Sequence, residues 1–267
     1  MNIINLENSN RRITSTLGNF SVLEYNRDIS VSSNNAVTEY FMAEMGVHRR
    51  QVVINMTGLN TAILQAGAMQ WMAGDIKIAT DIKGVGDLMG KMFKSSVTKE
   101  TTVKPKYSGN GILVLEPTYK YIILKEVSEW GSGLVIEDGM FLACDGTVNQ
   151  GITARKNISS AVLGGEGLFN LSLNGKGVVA LESNVPEDEL VEIRLNNDEL
   201  RIDGNMAVCW SNSLEFTVEK ATKSLIGSVA SGEGLVNVYR GTGTVLMAPV
   251  TSSTSLFNAT NSISAKP

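Results

Sequence analysis

The chain has 267 residues and a formal charge of −4, with 43% apolar against 19% charged residues, which excludes a disordered polymer and allows a sizeable core. Its pI of about 5.2 argues against nucleic acid as a partner, since phosphate binding leaves a basic footprint. Nothing approaches the roughly 18 consecutive apolar residues of a membrane span, and Met-Asn-Ile-Ile-Asn-Leu-Glu at the start lacks the features of a secretory leader. A cytoplasmic address is therefore expected.

Residues 1–48 read as an N-terminal extension. Phe20-Ser-Val-Leu-Glu-Tyr and Ile29-Ser-Val alternate apolar and polar residues as half-buried strands do, while Ala36–Met45 fits a strand or a short helix equally well. His48-Arg49-Arg50 then leads into a segment that the chain repeats.

The repeat has three blocks. A first strand appears as Val52-Val-Ile, Tyr121-Ile-Ile-Leu and Leu190-Val-Glu-Ile. A second runs to a glycine and out again, at Gly67, Gly139 and Gly204; two of these follow an aspartate, a dipeptide that favours turns with positive φ. The third is a Gly-x-Gly pair at Gly109/Gly111, Gly175/Gly177 and Gly241/Gly243, spaced by 66 residues each time. These landmarks divide the chain into units 49–116, 117–182 and 188–250, followed by a polar tail, 251–267. A period this long suits duplicated β units better than a solenoid.

Cys144 and Cys209 both fall five residues after a repeat glycine, where the first copy carries Met72. The spacing predicts three equivalent apolar core positions, hence buried, reduced and unbridged thiols. The first copy also carries an insert over about 80–94, in which Val85, Leu88, Met89, Met92 and Phe93 share one face of a short helix. Such a stripe packs on its own barrel or on a second subunit. The stretch from Lys77 to Lys106 has seven lysines against three acids, and Glu182 to Asp203 has eight acids against two arginines. These are two solvated faces, or the two sides of a subunit contact in which the insert docks on the acidic stretch.

Chemistry is sparsely provided. One histidine, His48, offers little for acid–base work or metal ligation, and no metal, phosphate-loop or nucleophile motif is present. No catalytic residue, metal or cofactor is expected. Glu100, Glu166 and Glu233 recur ahead of the Gly-x-Gly pairs, and Glu116 and Glu182 recur after them. They either accept backbone N–H bonds in tight bends or converge on a cation or small basic ligand.

The combination of Gly67-Ala-Met-Gln-Trp-Met, Gly109-x-Gly with Leu115-Glu-Pro, Gly139-Met-Phe-Leu-Ala-Cys, Gly165-Glu-Gly-Leu-Phe, Ile202-Asp-Gly and Ser231-Gly-Glu-Gly-Leu resembles the bacterial branch of the "altered inheritance of mitochondria" family, over about residues 20–250. That family is related in fold to the tryptophan RNA-binding attenuator protein. The resemblance implies an all-β chain of tandem, pseudo-repeated units, built as β-sandwiches or double-stranded β-helices with few short helices and often assembled into oligomers. It implies no settled activity. The expected function is a non-enzymatic, self-assembling binding or scaffold protein with a homo-oligomeric state and an unknown protein or small-ligand partner. The alternative is a small-ligand or peptide module using the repeated glutamates; an enzyme is the remotest reading.

Overall fold

The computed structural model describes residues 2–80, 104–154, 169–220 and 235–250, which contain sixteen strands and a single α-helix. The chain is all-β, with antiparallel sheets curled into barrel-like layers. It opens on the hairpin β1 (Arg11–Leu17) and β2 (Phe20–Tyr25), followed by α1 (Ala36–Glu44). Of the two readings open for Ala36–Met45, helix is the one adopted. Its end is specified locally: Gly46, at φ +76°, lets its own N–H and that of Val47 bond back to Ala43 and Met42, the closing pattern that a left-handed glycine permits.

Three units follow, each with the same three lanes. In the first, β3 (Arg50–Asn55) and β4 (Thr61–Leu64) form one lane, β5 (Met69–Ala79) the second, and β6 (Lys106–Leu115) the central lane, bonded to both. In the second, β7 (Tyr121–Glu126) and β8 (Leu134–Ile136) form the first lane, and β9 (Phe141–Asp145) and β10 (Val148–Ala154) the next. Its central lane is β11 (Phe169–Gly175) with β12 (Val178–Ser183). The third has β13 (Val191–Asp203), then β14 (Ala207–Ser211) with β15 (Glu215–Lys220), around a central β16 (Leu235–Met247).

Each Gly-x-Gly pair lies midway along a central lane, and in the first unit the neighbouring backbones come close there. A Cβ on Gly109 would lie 2.0 Å from the Asp75 carbonyl oxygen, and one on Gly111 would lie 2.1 Å from that of Ala73. Only glycine fits there. A β-bulge also recurs in the second lane, at Gln70, Leu142 and Val208, each time after a pair closing on the residue four past the second glycine (Met69 with Leu115, Phe141 with Leu181, Ala207 with Met247).

Successive units are joined by one rule. The end of one unit's first lane pairs with the start of the next unit's second lane. Thus β4 pairs with β9, setting Ile63 opposite Cys144 and Leu64 opposite Ala143. In the same way β8 pairs with β14, setting Val135 opposite Trp210 and Ile136 opposite Cys209. In each join the bulge carbonyl accepts across the boundary: Gln65 N–H donates to Leu142 O (2.9 Å) and Glu137 N–H to Val208 O (3.0 Å).

This register corrects the expected equivalence of the cysteines. Met72 pairs with Leu113, Cys144 with Val179 and Trp210 with Val245, each two residues past the second glycine of its pair. Trp210, not Cys209, occupies the place of Cys144. The cause is a shifted turn glycine. Leu64, Ile136 and Ile202 each stand six residues before their bulge, but Gly67 and Gly139 come third in that stretch and Gly204 second. Both thiols are buried and unbridged, as expected, and the one-residue offset points both into one core with Ile136, Phe141, Leu173 and Val179. Met72 departs from the expectation as well: it is 37% exposed, because among the described residues no strand pairs with the outer edge of β5.

Candidate functional site

The charged side chains that follow α1 in the sequence turn back and clamp it. Arg50, on β3, is buried with its Nε 2.7 Å from Glu24 Oε2, its guanidinium 4.1 Å from the Tyr121 ring centroid, and its Nη1 donating to the His48 carbonyl at 3.1 Å. A buried guanidinium costs little only when paired and hydrogen-bonded in this way. Arg49 forms an ion pair with Asp28 and donates to Tyr119 Oη at 3.1 Å. Tyr119 in turn donates to Glu39 Oε2 at 2.7 Å, with Asp28 Oδ2 at 3.3 Å as a second acceptor. Glu39 lies in the first turn of α1, so this chain of bonds fixes the helix to the β body.

The electrostatics follow from the contacts. Burial works against an ionised Asp28, but hydrogen bonds from Ser30 and the Arg49 charge outweigh it and hold the carboxyl below its ordinary range. Burial, then the bond to Glu39, push the Tyr119 phenol upward. Burial also works against a charged Arg49, yet Tyr119 and Asp28 leave it more basic than usual. The cluster is satisfied from within. It anchors the helix to the β body.

The helix so anchored has no buried residue. Val37 (69%), Phe41 (62%) and Met45 (79%) stand in water, with Tyr40 and Ile29 beside them, so that among the described residues five of the eleven large exposed apolar side chains fall between residues 29 and 45. Beside them opens a cleft of about 270 Å³, lined by Asn10, Arg11, Tyr25, Asp28, Gln51 and Gln70 among others. Its floor is ordered by Tyr25 Oη donating to Gln51 Oε1 (2.6 Å) and Gln51 Nε2 donating to Gln70 Oε1 (2.7 Å). A wider groove of about 500 Å³ lies at the join of the second and third units, among Lys125, Trp130, Glu192, Arg194, Ser213 and Thr244.

The sequence-based candidates lie elsewhere. Glu100, Glu166 and Glu233, and the stripe Val85, Leu88, Met89, Met92 and Phe93, are all outside the described residues. Of the downstream pair, Glu116 is exposed and Glu182 accepts from Lys120 Nζ at 2.9 Å. Their backbone N–H groups bond to Ala68 O and Met140 O, as that of Ala248 does to Met206 O in the third unit, so the position closes a turn. Among the described residues no three His, Cys, Asp or Glu side chains are grouped to hold a metal ion, and no helix is long and apolar enough to cross a membrane. The α1 face was missed in the sequence, although Val37, Tyr40, Phe41 and Met45 already stand there at helical spacing.

Comparison with known proteins places the chain. An uncharacterized protein of Streptococcus pyogenes serotype M6 is 26% identical over 234 residues, covering 85% of this chain and 90% of that protein. The X-ray structure of a second Streptococcus pyogenes protein superposes with a TM-score of 0.57 at 25% identity, covering 80% of this chain and 93% of the other. The family model described as mitochondrial biogenesis AIM24 matches residues 44–250. That span takes in all three units and leaves β1, β2 and nearly all of α1 before it. With a match over most of its length, three lanes repeated three times and relatives of the same extent, the chain belongs to the AIM24 family.

Proposed function

We propose that the protein acts by binding rather than by turnover, as a non-enzymatic, self-assembling scaffold. The observation that carries this reading is the apolar face of α1. Val37 and Phe41 on α1, and Met45 just past its end, are held in water on a helix fastened through Glu39 and Tyr119 to Arg49. Exposed apolar patches on ordered elements mark association surfaces, and fastening the helix beforehand removes part of the ordering cost of binding. The second copy of the chain is the occupant this reading assigns.

The test is light scattering on the wild type and on a Phe41→Asp, Met45→Asp double variant. Neither residue is buried, so the variant should keep its fold. The wild type is expected above the single-chain mass of 28.7 kDa, and the variant at least about tenfold weaker in association, a change of about 1.4 kcal/mol. A wild type that stays at single-chain mass up to about 100 µM, where contacts of about −5.5 kcal/mol already populate dimers, contradicts the reading.

A further inference from the structure

The rule that joins one unit to the next is used twice and then stops. The donating edge at the first join is Ala62, Ile63, Leu64 and Gln65, and at the second Leu134, Val135, Ile136 and Glu137. The third unit has the same edge in Leu200, Arg201, Ile202 and Asp203, because Ile202 pairs with Asn237, four residues before Gly241, just as Ile136 pairs with Leu171, four before Gly175. The accepting edges are Leu142–Asp145 and Val208–Ser211; the first unit has its counterpart in Gln70, Trp71, Met72 and Ala73. Among the described residues β13 is bonded only to β16, and β5 only to β6. The two ends of the series are complementary halves of a join that the chain already makes.

We propose that β13 of one copy pairs antiparallel with β5 of a second copy, in the register of the two internal joins. Arg201 then lies opposite Met72, Ile202 opposite Trp71, and the Asp203 N–H donates to the Gln70 carbonyl. This rests on the self-assembly reading and adds to it a contact distinct from the α1 face. Three observations carry it. Met72 is 37% exposed, whereas its equivalents Cys144 and Trp210 are buried beneath the preceding unit. The edge Gln70-Trp-Met-Ala-Gly74 has no charge and no proline, the usual means of blunting a free strand. Among the described residues β1, β7, β10 and β15 are also bonded on one side only, but no two units are joined through their open edges. The contact unites unlike patches, so copies add head to tail, closing into a ring where the rotation permits.

The test mixes two single variants, Met72→Cys and Arg201→Cys, under mild oxidation, and adds a chain carrying both. Opposed Cα atoms in an antiparallel pair are about 4.5–5.5 Å apart, within disulfide reach, and the native thiols are buried and leave little background. The expected result is a disulfide joining one chain of each kind, with linked multimers from the double variant. A double variant that oxidises only within itself, at single-chain mass, would show the join closing inside one molecule and overturn the proposal. No mixed disulfide in a sample that light scattering shows to be assembled would overturn it too, while leaving self-assembly standing. Single-chain mass throughout would overturn both.

Discussion

Cys209 faces the same core as Cys144 because it stands one residue out of step with it along the repeat. The place of Gly204 within its turn does not set this register, because Ile202 and Ile136 both stand six residues before their bulge. Burial pushes both thiols up to about 12, against an ordinary value of 9.0. Thiol reagents should therefore label the native protein only through opening of the core, and at the unfolded rate in denaturant. Fast native labelling of either cysteine would contradict this burial. The sign of the pH effect is also fixed. The folded values lie above the unfolded ones, so the stability these thiols contribute is complete below about pH 9 and is lost as the pH rises toward 12.

The joins should dominate the core energetics. Ile136 is fully buried against the third unit, and Ile136→Ala is expected to cost about 3 kcal/mol in urea unfolding, within the range for buried aliphatic truncation. Met72, with nothing packed over it from an earlier unit, should tolerate Ala within about 0.5 kcal/mol when measured on dilute, unassembled protein. Equal costs at the two sites would mean that Met72 is covered within its own chain.

Glycine at the centre of a lane is required sterically, whereas glycine in the turn is required only conformationally. Gly111→Ala would drive a Cβ to 2.1 Å from the Ala73 oxygen, and a loss above about 3 kcal/mol is expected. Gly67 has φ +80°, and a Cβ added there would meet no atom within 4 Å, so Gly67→Ala should cost only the left-handed penalty of about 1–2 kcal/mol. Urea midpoints at unchanged slope would read both values.

On the third unit, Arg240 bonds Glu199 Oε2 and Glu219 Oε1, each at 2.5 Å, and these bonds help to hold the Glu219 carboxyl down at about 2. The Arg240 hydrogen bonds lead, with Thr217 adding and burial opposing. A depressed carboxyl contributes stability above its unfolded value of about 4.5 that is lost as the pH falls toward 2. The site is solvated, so the contribution is under about 1 kcal/mol. Arg240→Gln should flatten the acid limb of the stability curve over that window; an unchanged limb would show the pair to be inert.

The sequence carried the all-β class and the three-fold recurrence, because glycines fixed by steric crowding survive as spacing even where side chains differ. Gly109 and Gly111 are legible for that reason. The one-residue shift of Gly204 was not, since a bulge is a property of strand pairing and leaves no residue signature at Gln70, Leu142 or Val208. The exposure of Met72 depends on β5 being bonded on one side only among the described residues, a non-local fact that no window of residues contains. Of the site, the apolar spacing in Ala36–Met45 was visible, but only the fold showed that its face is turned to water while Arg49 and Arg50 secure its base.

Amide hydrogen exchange as a function of protein concentration tests most directly whether the unit-to-unit join continues from one molecule to the next. Protection over residues 70–73 and 200–203 should rise together as the assembled mass rises, while the outer edge of β10 stays unchanged. Assembly with no gain of protection at these two edges would contradict it.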